Sequence, residues 1–245
     1  MSTWNKVAIV TGASRGIGAA IAERLARDGF IVVVNYAGDA SAAETLVARI
    51  EKAGGKAVSA QADVSDSQAV AQMFGSAEAA FGGVDVLVNN AGVMKLATMA
   101  ESSDALFDSQ ITINLRGSFN TLREAARRLR DGGRIINLSS SVVGLYQPAY
   151  AVYAATKAGV EAMTHIMAKE LRGRNITING VAPGPTATRL FLDGKSQQAI
   201  DALSQLAPLE RLGQPEDIAA VVAMLAGPDG AWINGQTLRA NGGIV

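Results

Sequence analysis

The 245-residue sequence has no cysteine and a single histidine, His165. Without cysteine there is no disulfide, no thiolate metal site and no cysteine nucleophile. That composition suits a reducing compartment, and a cytoplasmic location is expected. One imidazole leaves little room for a histidine metal cluster or a Ser-His-Asp triad, so no metal is expected. An excess charge of either sign is missing too. The 22 Lys plus Arg balance 22 Asp plus Glu, which gives no global field to draw in nucleic acid or an anionic membrane. Residues 1–6 lead straight into an apolar strand without the basic and apolar segments of a signal peptide. The longest apolar run, 218–227, is too short to span a bilayer and reads as a buried or interface helix.

What is present is apolar sequence, 49% of residues against 18% charged. That is enough for the core of one α/β domain over 1–245. Short, nearly continuous apolar runs at 6–10, 30–35, 57–61, 84–88, 134–138, 177–181 and 237–240 read as parallel strands covered on both faces. Helical patterns fill 16–28, 40–53, 67–81, 103–130, 149–172 and 215–226, and glycines follow several of them where C-caps belong. The alternation predicts a Rossmann-like, doubly wound, seven-stranded parallel sheet in a three-layer α/β/α arrangement. Residues 186–214 form the longest irregular stretch, where a lid would sit.

Between the first strand and first helix stands Thr11-Gly12-Ala13-Ser14-Arg15-Gly16-Ile17-Gly18. Gly12 permits a tight turn, Gly16 lets backbone approach a pyrophosphate, and Gly18 allows close helix–sheet packing. The helix start then offers free N–H groups, from Ser14 to Gly18, to an anion. Such a turn alone is often only a tight connection; its place in the first βα unit points to a nucleotide. An NAD site usually carries an acid at the end of the second strand. This strand ends in Asn35, which does not repel a 2′-phosphate, and Arg15 is placed to pair with one. NADP(H) is therefore the expected cofactor. Asp39 reads as a helix cap.

Together with Asn89-Asn90-Ala91-Gly92, Tyr153-x-x-x-Lys157 and Pro183-Gly184, this turn resembles the short-chain dehydrogenase/reductase family over the whole chain. Within it, Asn35-Tyr36-Ala37-Gly38 and residues 235–243 are similar to 3-oxoacyl-(acyl-carrier-protein) reductases of fatty acid biosynthesis. The resemblance implies that Asp63 binds the adenine amino group with Val64 beside the ring. It implies that Asn89 lines the adenosine ribose, with Ala91 and Gly92 giving close backbone approach. Pro183 and Gly184 lead to Thr186 and Thr188, which would hold the carboxamide and phosphates, Thr186 through its backbone. It also implies a homotetramer, as do the apolar residues 218–225 and the tail 241–245.

Tyr153 and Lys157 lie at i and i+4 on one helix, so their side chains share a face. On a surface helix that pair is commonplace. Beside a cofactor, the ammonium is expected to lower the tyrosine pKa by about 1–3 units and to bind the nicotinamide ribose. Of Ser139, Ser140 and Ser141, counting from either side points to Ser140 as holder of the substrate oxygen. Asn114 resembles the fourth catalytic residue, which kinks its helix and leads a proton relay to Lys157; a mid-helix Asn is otherwise unfavourable. His165, Asp85 and Asp104 read as structural. Arg123, Arg127, Arg128 and Arg130 read as a solvated helix face. Arg130 and Arg174 would steer an acidic carrier protein, although Asp131 lies among them.

These readings converge on NADPH-dependent reduction of a small-molecule or carrier-linked carbonyl, first a 3-oxoacyl thioester. Another ketone, sugar or alcohol is the second reading. A non-catalytic NADP(H) sensor would need only the glycine turn. An epimerase or dehydratase would need a larger substrate domain. Residues 145–150 and 191–208 should set the substrate, with Tyr146, Pro148 and Tyr150 forming a firm aromatic wall.

Overall fold

The computed structural model describes residues 6–245. The expectation about a leader, on residues 1–6, therefore lies almost wholly outside the described residues. Seven parallel strands make one sheet: β1 (Val7–Val10), β2 (Ile31–Tyr36), β3 (Lys56–Gln61), β4 (Val84–Asn89), β5 (Leu129–Leu138), β6 (Thr177–Pro183) and β7 (Thr237–Ala240), in the order β3-β2-β1-β4-β5-β6-β7. The order reverses between β1 and β4, so both carboxyl ends open into one crevice, the usual ligand position in such sheets.

One sheet face is covered by α1 (Gly16–Arg27), α2 (Ala40–Lys52) and α10 (Pro215–Ala226). Their buried Ile21, Leu25, Leu46, Ile50, Ile218 and Val222 pack on Ala8, Val10, Val32 and Val34. The other face is covered by α3 (Ser67–Phe81), α5 (Gly117–Arg128) and α7 (Ala151–Glu170). There Val70, Phe74 and Leu122 meet Ile9, Val33, Leu87 and Ile135. Central strands are buried on both sides, which is why their sequence runs are continuously apolar rather than alternating.

Three expectations are refined. The helical stretch 103–130 is interrupted: α4 (Asp104–Gln110) passes into a π-helical turn, Ile111–Arg116, before α5. Asn114 causes the interruption, because its side chain hydrogen-bonds the backbone of Val93 rather than facing solvent. The irregular stretch contains two short helices, α8 (Arg189–Leu192) and α9 (Gln197–Ser204). The apolar face of α10 packs on its own chain, with Ile218, Val222 and Leu225 fully buried, while Ala220, Val221 and Met224 stay more open.

The basic cluster is only in part a solvated face: Arg127 is exposed, but its neighbours are engaged. Arg128 binds Glu78 at 2.5 Å and Glu124 at 3.2 Å, tying α5 to α3. Arg130 pairs with Asp85 at 2.9 Å. Arg174 pairs with Asp131 at 2.9 Å and donates to the carbonyls of Ala126 and Leu129. Arg123 lies over the ring of Phe119 at 5.0 Å. Arg130 and Arg174 thus serve as crosslinks rather than as free steering charges. Among the described residues no helix is long and apolar enough to cross a membrane, and no group of three or more His, Cys, Asp or Glu is arranged to hold a metal.

Candidate active site

The crevice begins where β1 ends. Thr11, fully buried, accepts from the amides of Asn90 and Ala91 at 3.0 Å through one hydroxyl oxygen. Gly12 follows with φ +58°, and a Cβ there would stand 2.8 Å from Ala91 Cα. Only glycine satisfies both the left-handed backbone and the close approach. A Cβ on Gly18 would stand 2.5 Å from Asn90 Nδ2, the group that donates to the carbonyls of Thr11 and Gly12. Helix α1 then starts without a side-chain cap and without an acid in its first turn. Ala19, bonding Arg15 O at 3.3 Å, is the first residue after Ala13 whose amide finds a partner among the described residues. The amides from Ser14 to Gly18, Ile17 included, are left facing the crevice as an anion-binding arc. Thr188 lies across from it, its methyl 3.5 Å from a Cβ position on Gly16.

Two expected cofactor contacts are buried struts instead. Asn35 is 1% exposed. It accepts from the amide of Gly12 at 3.1 Å and donates to the carbonyls of Ala60 and Ala62 at 3.2 and 2.9 Å. It holds the glycine turn against the ends of β2 and β3 and has nothing left for a 2′-phosphate. Asn89 donates to Asn137 at 2.8 Å and accepts from Thr121 at 2.6 Å. Its side chain is thereby committed beneath the crevice, which leaves only its backbone to face a ribose. Asp63 and Val64 lie at the end of β3: Asp63 is exposed and accepts from Ser65, and Val64 is buried against Gly117. Pro183 and Gly184 close β6, and the hydroxyl of Thr186 is turned back onto Gly184 O at 2.9 Å. That leaves the Thr186 backbone, rather than its hydroxyl, open to a ligand. Arg15 is exposed and has no ion pair among the described residues. Asp39, its nearest rival by sequence, caps α2 by accepting from Ala42 at 3.0 Å.

The triple serine is resolved by hydrogen bonding. Ser139 donates to Glu161 at 2.5 Å, and Ser141 donates to Ala182 O at 3.1 Å. Only Ser140 is near enough to the Tyr153 hydroxyl to bear on its ionisation. Lys157 stands below the same ring, its Nζ 5.8 Å from the centroid, donating to Leu138 O at 2.8 Å. The ring of Tyr150 meets that of Tyr153 edge-on at 6.4 Å. Gly92 closes the space between them: a Cβ there would be 3.2 Å from Asn114 Oδ1 and 3.7 Å from Lys157 Nζ. Asn114 is fully buried, bonded to both backbone groups of Val93 and to Thr156. Its side chain therefore anchors a loop, and the π-helical kink is its local effect.

The electrostatics differ from the simple Tyr–Lys expectation. Burial pushes the Tyr153 phenol up to about 12, with Ser140 pulling weakly the other way. Burial likewise lowers the Lys157 ammonium to about 8. Desolvation outweighs the attraction between the two groups, because the ammonium is turned onto a carbonyl rather than the phenol oxygen. A linkage prediction follows for the ligand-free protein. An unfolded lysine titrates near 10.5. Above that value Lys157 costs nothing, and the cost of burying its charge is complete once pH falls below about 8. Wild-type stability relative to Lys157→Met should therefore rise by about 3 kcal/mol across that window. Denaturant unfolding of both proteins between pH 7.5 and 10.5 measures it; a pH-independent difference contradicts it.

Sequence reasoning missed Asn90, Thr11 and Gly117. The first two were visible as polar residues in the motifs, but nothing in a pair of asparagines says which supports the turn. The turn, the serine and the Tyr–Lys pair together define a nucleotide-dependent oxidoreductase on a doubly wound sheet. Comparison with known proteins agrees. The family model described as enoyl-(acyl carrier protein) reductase matches residues 12–245. A short-chain type dehydrogenase/reductase of Picea abies is 48% identical, covering 98% of this chain and 92% of its own. An NADPH-dependent aldehyde reductase-like chloroplastic protein of Arabidopsis thaliana is 44% identical, covering 98% and 94%. The crystal structure of a short chain dehydrogenase from Burkholderia cenocepacia in complex with NADP superposes with a TM-score of 0.93 at 38% identity, covering 100% and 99%. The chain belongs to the short-chain dehydrogenase/reductase family of oxidoreductases.

Proposed function

We propose that the chain, 1–245, acts as one NADPH-dependent reductase of aldehydes or ketones. The observation that carries this reading is the isolation of Ser140. It is the one serine of three whose hydroxyl is not committed to Glu161 or Ala182, and it lies beside Tyr153, whose ring Lys157 also approaches. The residues present fit a dinucleotide phosphate. The amide arc of Ser14–Gly18 suits the pyrophosphate, and the unpaired Arg15 suits a 2′-phosphate. No free acid competes at the end of β2, where Asn35 is buried and Asp39 is a cap. Asp63, Val64, Asn89, Ala91, Gly92, Pro183, Gly184, Thr186 and Thr188 complete the lining, Asn89 and Thr186 by backbone only.

When bound, NADPH supplies the hydride. Ser140 donates to the carbonyl oxygen and fixes its position. Tyr153, a phenol that is protonated at neutral pH, delivers that proton to the developing alkoxide. Lys157 has two N–H groups beyond its bond to Leu138 O, which suit ribose hydroxyls. A carrier-linked 3-oxoacyl substrate is less favoured, because Arg130 and Arg174 are already paired. The test is consumption of NADPH against NADH over a carbonyl panel that includes an acetoacetyl thioester. Aldehyde or ketone turnover with NADPH is expected; no turnover with any carbonyl rejects the proposal.

A further inference from the structure

We propose that Asn241, at the C-terminal end of the sheet, is a positioning residue for the substrate-binding Ser140 and acts on it through Ser141. This rests on the role given to Ser140 above. Asn241 follows β7 directly. Its Nδ2 donates to Ser141 Oγ at 3.0 Å and to Val245 O at 3.2 Å, and its Oδ1 accepts from the amide of Gly243 at 3.0 Å. Ser141 in turn donates its hydroxyl to Ala182 O at 3.1 Å, and its amide to Pro183 O at 2.9 Å. With Asn241 as donor, the Ser141 oxygen must act as acceptor there, and its proton is directed to Ala182.

Ser140 is therefore clamped between two tethered neighbours. Ser139 is fixed by Glu161 and by its amide bond to Val181 O at 2.7 Å; Ser141 is fixed by β6 and Asn241. Ser140's hydroxyl has only a weak 3.3 Å bond from Val142 N besides its contact with Tyr153, while its carbonyl accepts from Val143 N at 3.2 Å. Its direction is thus set by its neighbours rather than by its own packing. Asn241 also abuts the turn after β6: a Cβ on Gly184 would lie 2.8 Å from Asn241 Cα and Cβ. Few residues other than Asn supply two donors and one acceptor in this space. An aspartate would face Val245 O with a carboxylate. It would also require the Ser141 hydroxyl to reverse and abandon Ala182.

The experiment is a double-mutant cycle on the full chain. Steady-state reduction of a carbonyl at saturating NADPH is measured for Ser140→Ala, Asn241→Asp, Ser141→Ala and Ser140→Ala/Asn241→Asp, with NADPH affinity by fluorescence titration. Asn241→Asp and Ser141→Ala are each expected to lower kcat about tenfold, with NADPH affinity unchanged. Added to Ser140→Ala, Asn241→Asp should cost less than about twofold more, since the residue it positions is already gone. Ser141→Ala tests the link from its other side should Asn241→Asp not fold. Losses that multiply in the double variant, or NADPH affinity that falls along with turnover, overturn the proposal while leaving Ser140 in place. Near-normal turnover by Ser140→Ala alone would instead remove the role of Ser140, and this inference with it.

Discussion

Tyr153→Phe is expected to lower carbonyl reduction by about 10²–10⁴-fold, the usual worth of a positioned proton donor, while NADPH still binds. The substitution removes one oxygen and keeps the ring that packs edge-on against Tyr150 at 6.4 Å. Lys157 keeps its anchor on Leu138 O, so the cofactor-facing ammonium stays in place. Burial is what holds the phenol up to about 12, and losing a buried hydroxyl whose one side-chain partner is Ser140 should change folding stability little. The loss should therefore fall on kcat. Steady-state NADPH oxidation gives the rate and fluorescence titration gives the affinity. Turnover within a few-fold of wild type would take the proton-donor role away from Tyr153.

The second large effect is expected at the phosphate turn. In Gly12→Val, the new Cβ meets Ala91 Cα at 2.8 Å, and the backbone is already at φ +58°. The left-handed backbone costs about 1–2 kcal/mol for a non-glycine residue, and overpacking against main chain adds about 1–3 kcal/mol. Neither β1 nor the 89–92 segment can yield cheaply, because Thr11 and Asn90 bind the two together. Stability should drop, and NADPH binding should drop further, since the amide arc is built on this turn. Gly38→Ala is the control: nothing lies within 4 Å of its Cβ position and its φ is not positive. A surface change of that kind should stay within about 0.5 kcal/mol. Thermal unfolding and NADPH titration of both variants decide the matter. Equal behaviour would mean that the turn is not constrained as described.

Much of the fold was legible because two-sided burial writes itself into sequence. The run that became β1 is apolar throughout and those of β2 and β4 nearly so, and glycine stops such as Gly82, with φ +78° after α3, mark the ends of helices. The resemblance implied a kink at Asn114, but its π-helical form was not legible, because it depends on Asn114 meeting Val93, a partner 21 residues away. Whether α10 is a buried or an interface helix was left open for a related reason. Hydrophobicity along a helix does not say whether its partner is α1 or another chain. At the site, residue types and spacing sufficed to expect that Ser140, Tyr153 and Lys157 come together, as they do. They did not suffice for Asn35 and Asn89, whose amides serve the interior. An asparagine is equally able to bind a ligand or a backbone, and only the surrounding carbonyls and hydroxyls decide. The same limit applied to Tyr153 and Lys157: the chain order gave the pair, but burial, not proximity, governs both their ionisations.

Asn35 has a consequence for anyone who would retrain this enzyme to NADH. The obvious edit, an aspartate at the end of the second strand, copies what NAD-selective sheets carry there. In this protein the position is interior masonry. Its amide group donates to Ala60 O and Ala62 O while accepting from the Gly12 amide. An aspartate would keep only the last of these and would point a buried charge at two carbonyls. The edit would loosen the pyrophosphate turn before it repelled a 2′-phosphate. Cofactor choice is better changed from outside the sheet, at exposed Ala37 and Arg15, where side chains can change without unfastening the strands beneath them.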